Sequence, residues 1–156
     1  MSRRNISKKR FPAPDSIYNS YLISLFITRI LKSGKKTIAK NLVYQTFSII
    51  EKKTDEDPLN VFEKAIRNAS PIVEVKARRI GGSTYQVPIE ISGFRATNLA
   101  LRWIIKYAHQ RVGRSMSIKL ANEIIDTAND ISNTIKKKEE THKMAEANKA
   151  FAHFRY

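Results

Sequence analysis

The chain contains no cysteine, which removes disulfides, thiolate zinc sites and cysteine nucleophiles together. Glycine and proline are sparse, with 5 of each in 156 residues, so the chain is neither collagen-like nor a low-complexity linker. Long apolar runs are missing too. The longest uncharged stretch, Ser16 to Thr28, has 13 residues and includes Ser16, Asn19, Ser20 and Ser24. A spanning helix needs about 20 predominantly apolar residues. No small-residue cleavage site follows Tyr21–Ile27, so amphipathic spacing explains the basic start better than a signal peptide does. Acid is also in short supply: 14 Asp and Glu face 29 Lys and Arg, a formal net charge of +15. An excess of that size is too basic for a typical cytosolic enzyme. It suits a polyanion, which leaves RNA, DNA or an anionic membrane surface.

What is present is enough for one folded unit. The length suits a single domain, and 42% apolar residues can bury one core. The charge is unevenly placed. Residues 1–10 carry Arg3, Arg4, Lys8, Lys9 and Arg10 and no acid, and Pro12 and Pro14 follow, so this piece reads as an extended arm. Between Ser16 and Ile50 there are five basic residues and no acid. Residues 72–114 hold Lys76, Arg78, Arg79, Arg95, Arg102, Lys106, Arg111 and Arg114 against only Glu74 and Glu90. The acids gather at 51–63 and at Glu123, Asp126 and Asp130. Solvated surfaces normally mix their signs, so the separation predicts a basic binding face and a more neutral back.

Apolar spacing predicts helices through Tyr18–Ile30, Ile38–Ile50 and Phe62–Ala69. Gly34 ends the first, Lys35-Lys36 open the second, and Asp57 with Pro58 starts the third. The period then becomes two. Val73, Val75 and Ala77 alternate with charged residues, as do Tyr85, Val87, Ile89 and Ile91 with Gln86, Pro88 and Glu90, across Gly81-Gly82. Aligning the two apolar rows pairs Ala77 with Tyr85, Val75 with Val87 and Val73 with Ile89, around a three-residue Ile80-Gly81-Gly82 loop. Three more helices follow, one with Ala96, Leu99, Ala100, Trp103, Ile104, Tyr107 and Ala108. The next carries Ile118, Ala121, Ile124, Ile125 and Ala128, and the last Met144, Ala147, Phe151 and Phe154. The expected fold is mainly α: a bundle of about six helices with one protruding two-stranded antiparallel hairpin between the third and fourth. Residues 1–156 form one domain, with an arm at 1–15, a hairpin at 72–91 and a C-terminal helix and tail at 134–156. The hairpin tip, with Lys76, Arg78 and Arg79, is expected to project, a device for reaching a nucleic-acid groove. Trp103, Tyr107, Phe151, Phe154 and Tyr85 are assigned to packing.

Catalytic constellations are missing. Glu139-Glu140-Thr141-His142 is one E-x-x-H without the second copy a di-iron bundle needs. Gly113-Arg114-Ser115-Met116-Ser117 lacks the second glycine of a nucleophile elbow, and Ser115 serves better as a helix cap. Gly81-Gly82-Ser83-Thr84 lacks the phosphate-loop lysine. His109, His142 and His153 have no ligand spacing. The expectation is a binding protein with no catalytic residue, no metal and no cofactor.

The stretch VEVKARRIGGSTYQVPIEI, Val73 to Ile91, closely resembles the hairpin of the small-subunit ribosomal protein S7 family. KKKEETHKMAEANKAFAHFRY, Lys136 to Tyr156, is similar to that family's last helix and tail. LKSGKK, FEKAIRNASP, LALRWI and RSMSIKLANEI match collinearly. The resemblance implies a structural protein that binds the 3′ major domain of small-subunit rRNA, organises head assembly and lies near the exit site. The partners implied are that rRNA, neighbouring head and platform proteins, mRNA and exit-site tRNA, with no membrane and no homo-oligomer. The rRNA-binding positions implied are Arg3, Arg4, Lys8, Lys9, Arg10, Lys35, Lys36, Lys76, Arg78, Arg79, Arg95, Arg102, Arg111, Arg114 and Lys119. Those near mRNA and tRNA are Arg78, Arg79, Gly81, Gly82 and Lys143. Ser92–Ala96 carries fewer basic residues than many bacterial members have there. The MSRR start, the VKARR ribbon and the KKEETH segment are more similar to plastid-encoded members, which implies a plastid (chloroplast stroma) ribosome, with a bacterial cytoplasm as the alternative. A competing reading is an architectural DNA-binding protein with a basic ribbon arm.

Overall fold

A computed structural model describes residues 11–154. In chain order they form α1 (Tyr21–Ile30), α2 (Lys36–Thr54), α3 (Pro58–Ala69), β1 (Val73–Ile80), β2 (Ser83–Glu90), α4 (Gly93–Gln110), α5 (Met116–Ala128) and α6 (Asn133–Ala147). A 3-10 segment, Lys149–Phe154, follows. The mainly helical plan with one hairpin between α3 and α4 agrees with the periodicity.

Local chemistry sets the ends. Asp57 Oδ1 accepts the Leu59 N–H at 3.1 Å, and Pro58 occupies the first helical position, where its missing N–H costs no bond. Ser115 and Ser132 cap α5 and α6 by accepting from Ile118 and Ile135 at 3.4 and 3.3 Å. Between α1 and α2 the chain reverses through Ser33 and Gly34, both at positive φ (51° and 72°).

α5 is the central helix, packed against α2, α3 and α4, and Leu120, Ala121 and Ile124 are completely buried. Phe62 anchors the other side of the core, its ring 5.0 Å from Phe26 and 5.3 Å from Phe47. Two aromatic expectations change here. Trp103 and Tyr107 are only half-buried, because the buried centre of α4 runs through Ala100, Leu101, Ile104 and Ala108 and leaves those rings on its flank. Ile118 is likewise 38% exposed.

The hairpin departs from the predicted register by one residue. Val75 faces Pro88, Lys76 faces Val87 and Arg78 faces Tyr85. The loop is the two residues Gly81-Gly82, at φ 55° and 93°, the signature of a type I′ turn. Its twist matches that of the strands, whereas a three-residue loop does no more than align the apolar rows. The consequence is a mixed face. Glu74, Lys76 and Arg78 share a side with Ile89, Val87 and Tyr85, and Glu74 is buried there.

The hairpin is also less free than a projecting arm. Its base closes through the Ile91 N–H to the Ile72 carbonyl at 3.0 Å, and the Ile72 N–H donates to His142 Nε2 on α6 at 3.1 Å. Val87 is fully buried. Tyr85 lies against Phe151 and Phe154, each ring centroid 5.3 Å away. α6 thus stops at Ala147, Met144 is 43% exposed, and the two C-terminal phenylalanines clasp the ribbon. The tip, Arg79 to Thr84, is exposed throughout.

Residues 11–15 are tied down as well. Ser24 donates to the Ala13 carbonyl at 2.7 Å. Asp15 is buried and accepts from the Ile17 N–H at 3.1 Å and the Tyr44 hydroxyl at 2.9 Å. Any arm therefore ends before Phe11. The basic residues of the expected arm, Arg3, Arg4, Lys8, Lys9 and Arg10, lie outside the described residues.

Candidate nucleic-acid interface

One face of α4 carries the first group of basic side chains. Arg95, Arg102, Lys106 and His109 are exposed. The last three lie seven, eleven and fourteen residues beyond Arg95, so at 3.6 residues per turn all four fall within about 60° of one another. Ala96, Ala100, Leu101, Ile104 and Ala108 take the opposite, buried side. The sequence thus separates core and charge on a single helix.

The α1–α2 loop meets the far end of this stripe. Arg29, Lys32 and Lys35 share a groove with Ile105 and His109 of α4 and with Met116 of α5. Lys35 and Lys36 are exposed at the start of α2, whose first turn contains no acid. The α2 N–H groups there add partial positive charge. Glu51, Asp55 and Glu56 lie at the other end of that 19-residue helix, about 28 Å away. Arg114 is exposed two residues before Met116. Among the described residues, Lys32, Lys35, Lys36, Arg102, Lys106 and Arg114 have no carboxylate within salt-bridge distance.

Other positions are already engaged. Arg95 Nη2 and Lys76 Nζ lie 2.8 and 3.2 Å from the carboxylate of Glu74. Burial pushes the Glu74 carboxyl up, but the hydrogen bonds and charges of Arg95 and Lys76 outweigh it and hold the group below the usual carboxylate range. Two cations on one carboxylate still leave one positive charge at the ribbon base. Arg111 is a correction to the expected set. Its guanidinium bonds Glu123, which is completely buried, and Asp126. Glu123 Oε1 also accepts from Thr134 Oγ1 at 2.6 Å. Arg111 therefore joins α4 to α5 and α6 and has no charge left over for phosphate. Lys119 is half-buried, its Cγ packed beside Gly113. Arg78 is half-buried along the ribbon, while Arg79, Gly81 and Gly82 are exposed at the tip and Lys143 is exposed on α6.

Sequence reasoning passed over Arg29. Its guanidinium donates to Asn98 Oδ1 on α4, with the Nε bond at 3.1 Å, and Asn98 Nδ2 donates to the Phe94 carbonyl at 2.7 Å. A neutral amide therefore orients this arginine without cancelling its charge. The partners are 69 residues apart, too far for any local spacing signal.

A basic face carried by α4 and the α1–α2 loop of a helical core, beside a clasped ribbon, is the context in which the family comparison becomes decisive. The profile of the family described as ribosomal protein S7p/S5e matches residues 2–149. The chain belongs to that family. It is a ribosomal protein of structural, non-enzymatic kind. Similar curated proteins include small ribosomal subunit protein uS7c of Trieres chinensis, 81% identical over 144 residues, 92% of this chain and 91% of that protein. Proteins named small ribosomal subunit protein uS7 match over the full length of both chains, at 54% identity in Thermosynechococcus vestitus and 58% in Gloeothece citriformis. This S7-family chain is of plastid type. Among the described residues no group of three or more His, Cys, Asp or Glu is placed to hold a metal ion, and no helix is long and apolar enough to cross a membrane.

Proposed function

We propose that this chain is the protein of the small ribosomal subunit that holds the 3′ major domain of the rRNA and organises the subunit head, in a plastid ribosome. The observation that carries the reading is the set of uncompensated cations on α4, the α1–α2 loop and the start of α5: Lys32, Lys35, Lys36, Arg102, Lys106 and Arg114. Such side chains gain by displacing the counterions of a folded RNA. Arg3, Arg4, Lys8, Lys9 and Arg10 extend the same charge along the sequence. The ribbon tip, with Arg78, Arg79, Gly81 and Gly82, and Lys143 on α6 face mRNA and exit-site tRNA in this reading. Head and platform proteins are the neighbours. The 81% identity to uS7c of Trieres chinensis favours the plastid stroma over a bacterial cytoplasm.

The test is titration of the chain with a transcript of the 3′ major domain across a salt series. If about eight phosphates are neutralised, the log–log slope lies near −6 to −7. A flat dependence, or equal affinity for duplex DNA, overturns the reading and favours an architectural DNA-binding protein.

A further inference from the structure

The groove between the α1–α2 loop, α4 and the start of α5 has a floor that phosphate contact does not explain. Ile30, Ile38, Ala39, Leu42, Ile105 and Met116 line it, and Ile38 is 61% exposed on a face otherwise given to charge. The rim is Arg29, Lys32, Lys35 and His109, with no carboxylate. Arg29 is fixed there by the neutral Asn98 amide, so its charge points to a ligand and is not cancelled by the fold. The cavity is about 220 Å³, below the roughly 300–1,000 Å³ of drug-sized sites. That is too small for the row of anchors an amphipathic helix inserts. The ligand that fits is small and apolar where it meets the floor and carries negative charge toward the rim.

We infer that this groove receives a single unstacked RNA base, its two flanking phosphates held by Arg29 on one side and by Lys32 and Lys35 on the other. Single-stranded bases splayed out of a folded RNA are the usual target of such sites. Here aliphatic and thioether surface replaces the more common aromatic platform. The inference rests on the rRNA-binding reading above and specifies how one part of that face recognises its partner.

The experiment compares Ile38→Ser with Lys35→Ala on the same 3′ major domain transcript, across salt. Ile38 is exposed, so the serine variant folds, and a thermal melt verifies it. A base in the groove makes an apolar contribution that salt does not screen. Ile38→Ser then binds roughly tenfold more weakly with an unchanged salt slope. Lys35→Ala shortens the slope by about one phosphate contact. If Ile38→Ser binds the transcript as the parent does while Lys35→Ala still loses slope, the groove holds no base and the inference fails, although the basic face stands. It fails equally if the loss in Ile38→Ser falls instead on binding of a neighbouring ribosomal protein. A parent chain that does not bind the transcript defeats the underlying reading itself.

Discussion

Removing Arg111 separates two accounts of a cation that the sequence alone assigns to RNA. In the structure its guanidinium bonds the carboxylates of Glu123 and Asp126, and the Glu123 side chain is 0% exposed. Arg111→Ala leaves the buried Glu123 carboxyl without its cation and bonded to the Thr134 hydroxyl. Breaking a buried pair in this way costs about 3–5 kcal/mol. The Arg111 side chain is 25% exposed and Asp126 41%, so water reaches part of the pair and the lower end, about 3 kcal/mol, applies. For a chain of this length that lowers Tm by about 6–12 °C. Glu123→Gln keeps the Thr134 bond and leaves Arg111 on Asp126, so its loss is smaller, about 1–2 kcal/mol. The assay is urea unfolding of the two single variants and the double variant. The double-mutant cycle should return a coupling energy above about 0.5 kcal/mol. A Tm within about 2 °C of the parent, together with a salt slope for RNA reduced by about one unit, would refute the reasoning and return Arg111 to the interface.

Three other outcomes are expected. Burial, and then the Lys138 charge, lower the His142 pKa, and the neutral ring accepts the Ile72 N–H. Its contribution is therefore complete above the ordinary histidine value near 6.5 and is lost as pH falls through the folded value. Ile72 amide protection, corrected for the intrinsic exchange rate, should hold above about pH 6.5 and fall below it, and His142→Gln should remove that pH dependence. Gly82→Ala places a Cβ at φ 93° and should destabilise the ribbon by roughly 1–2 kcal/mol. NOEs in the parent should pair Lys76 with Val87; Val75 paired with Val87 would restore the three-residue loop. Phe62→Ala should cost about 3–5 kcal/mol, and Trp103→Ala clearly less because that ring is half-buried; equal losses by urea unfolding would put Trp103 back in the core.

Local signals are legible wherever the deciding groups are sequence neighbours. Asp57-Pro58 and Ser115 cap α3 and α5 as their chemistry requires, and the change of period at Val73 marks the start of β1. The register is not, because two local rules compete there. Alignment of apolar rows asks for an odd loop, while Gly81-Gly82 favours a two-residue turn, and the turn wins because Arg95 and Lys76 neutralise the Glu74 that the shift buries. The site divides in the same way. The α4 stripe follows from helical spacing. The loss of Arg111 to an internal pair does not, although one clue is present: Glu123 sits in the buried stripe of Leu120, Ala121 and Ile124, where an acid requires a partner. The Arg29–Asn98 contact joins two helices distant in sequence and has no local signature.

The clasp on Tyr85 sets an order of events during synthesis. Phe151 and Phe154 are added 66 and 69 residues after it, so at ordinary elongation rates the finished strands wait about 3–14 s for their cover. A two-stranded ribbon is all edge, and an uncovered edge invites pairing with a second nascent chain. Lys76, Arg78 and Arg79 outweigh Glu74 on β1, and this net positive charge repels a like strand during that interval. The charge of this strand thus opposes edge-to-edge pairing before the aromatic cover is complete.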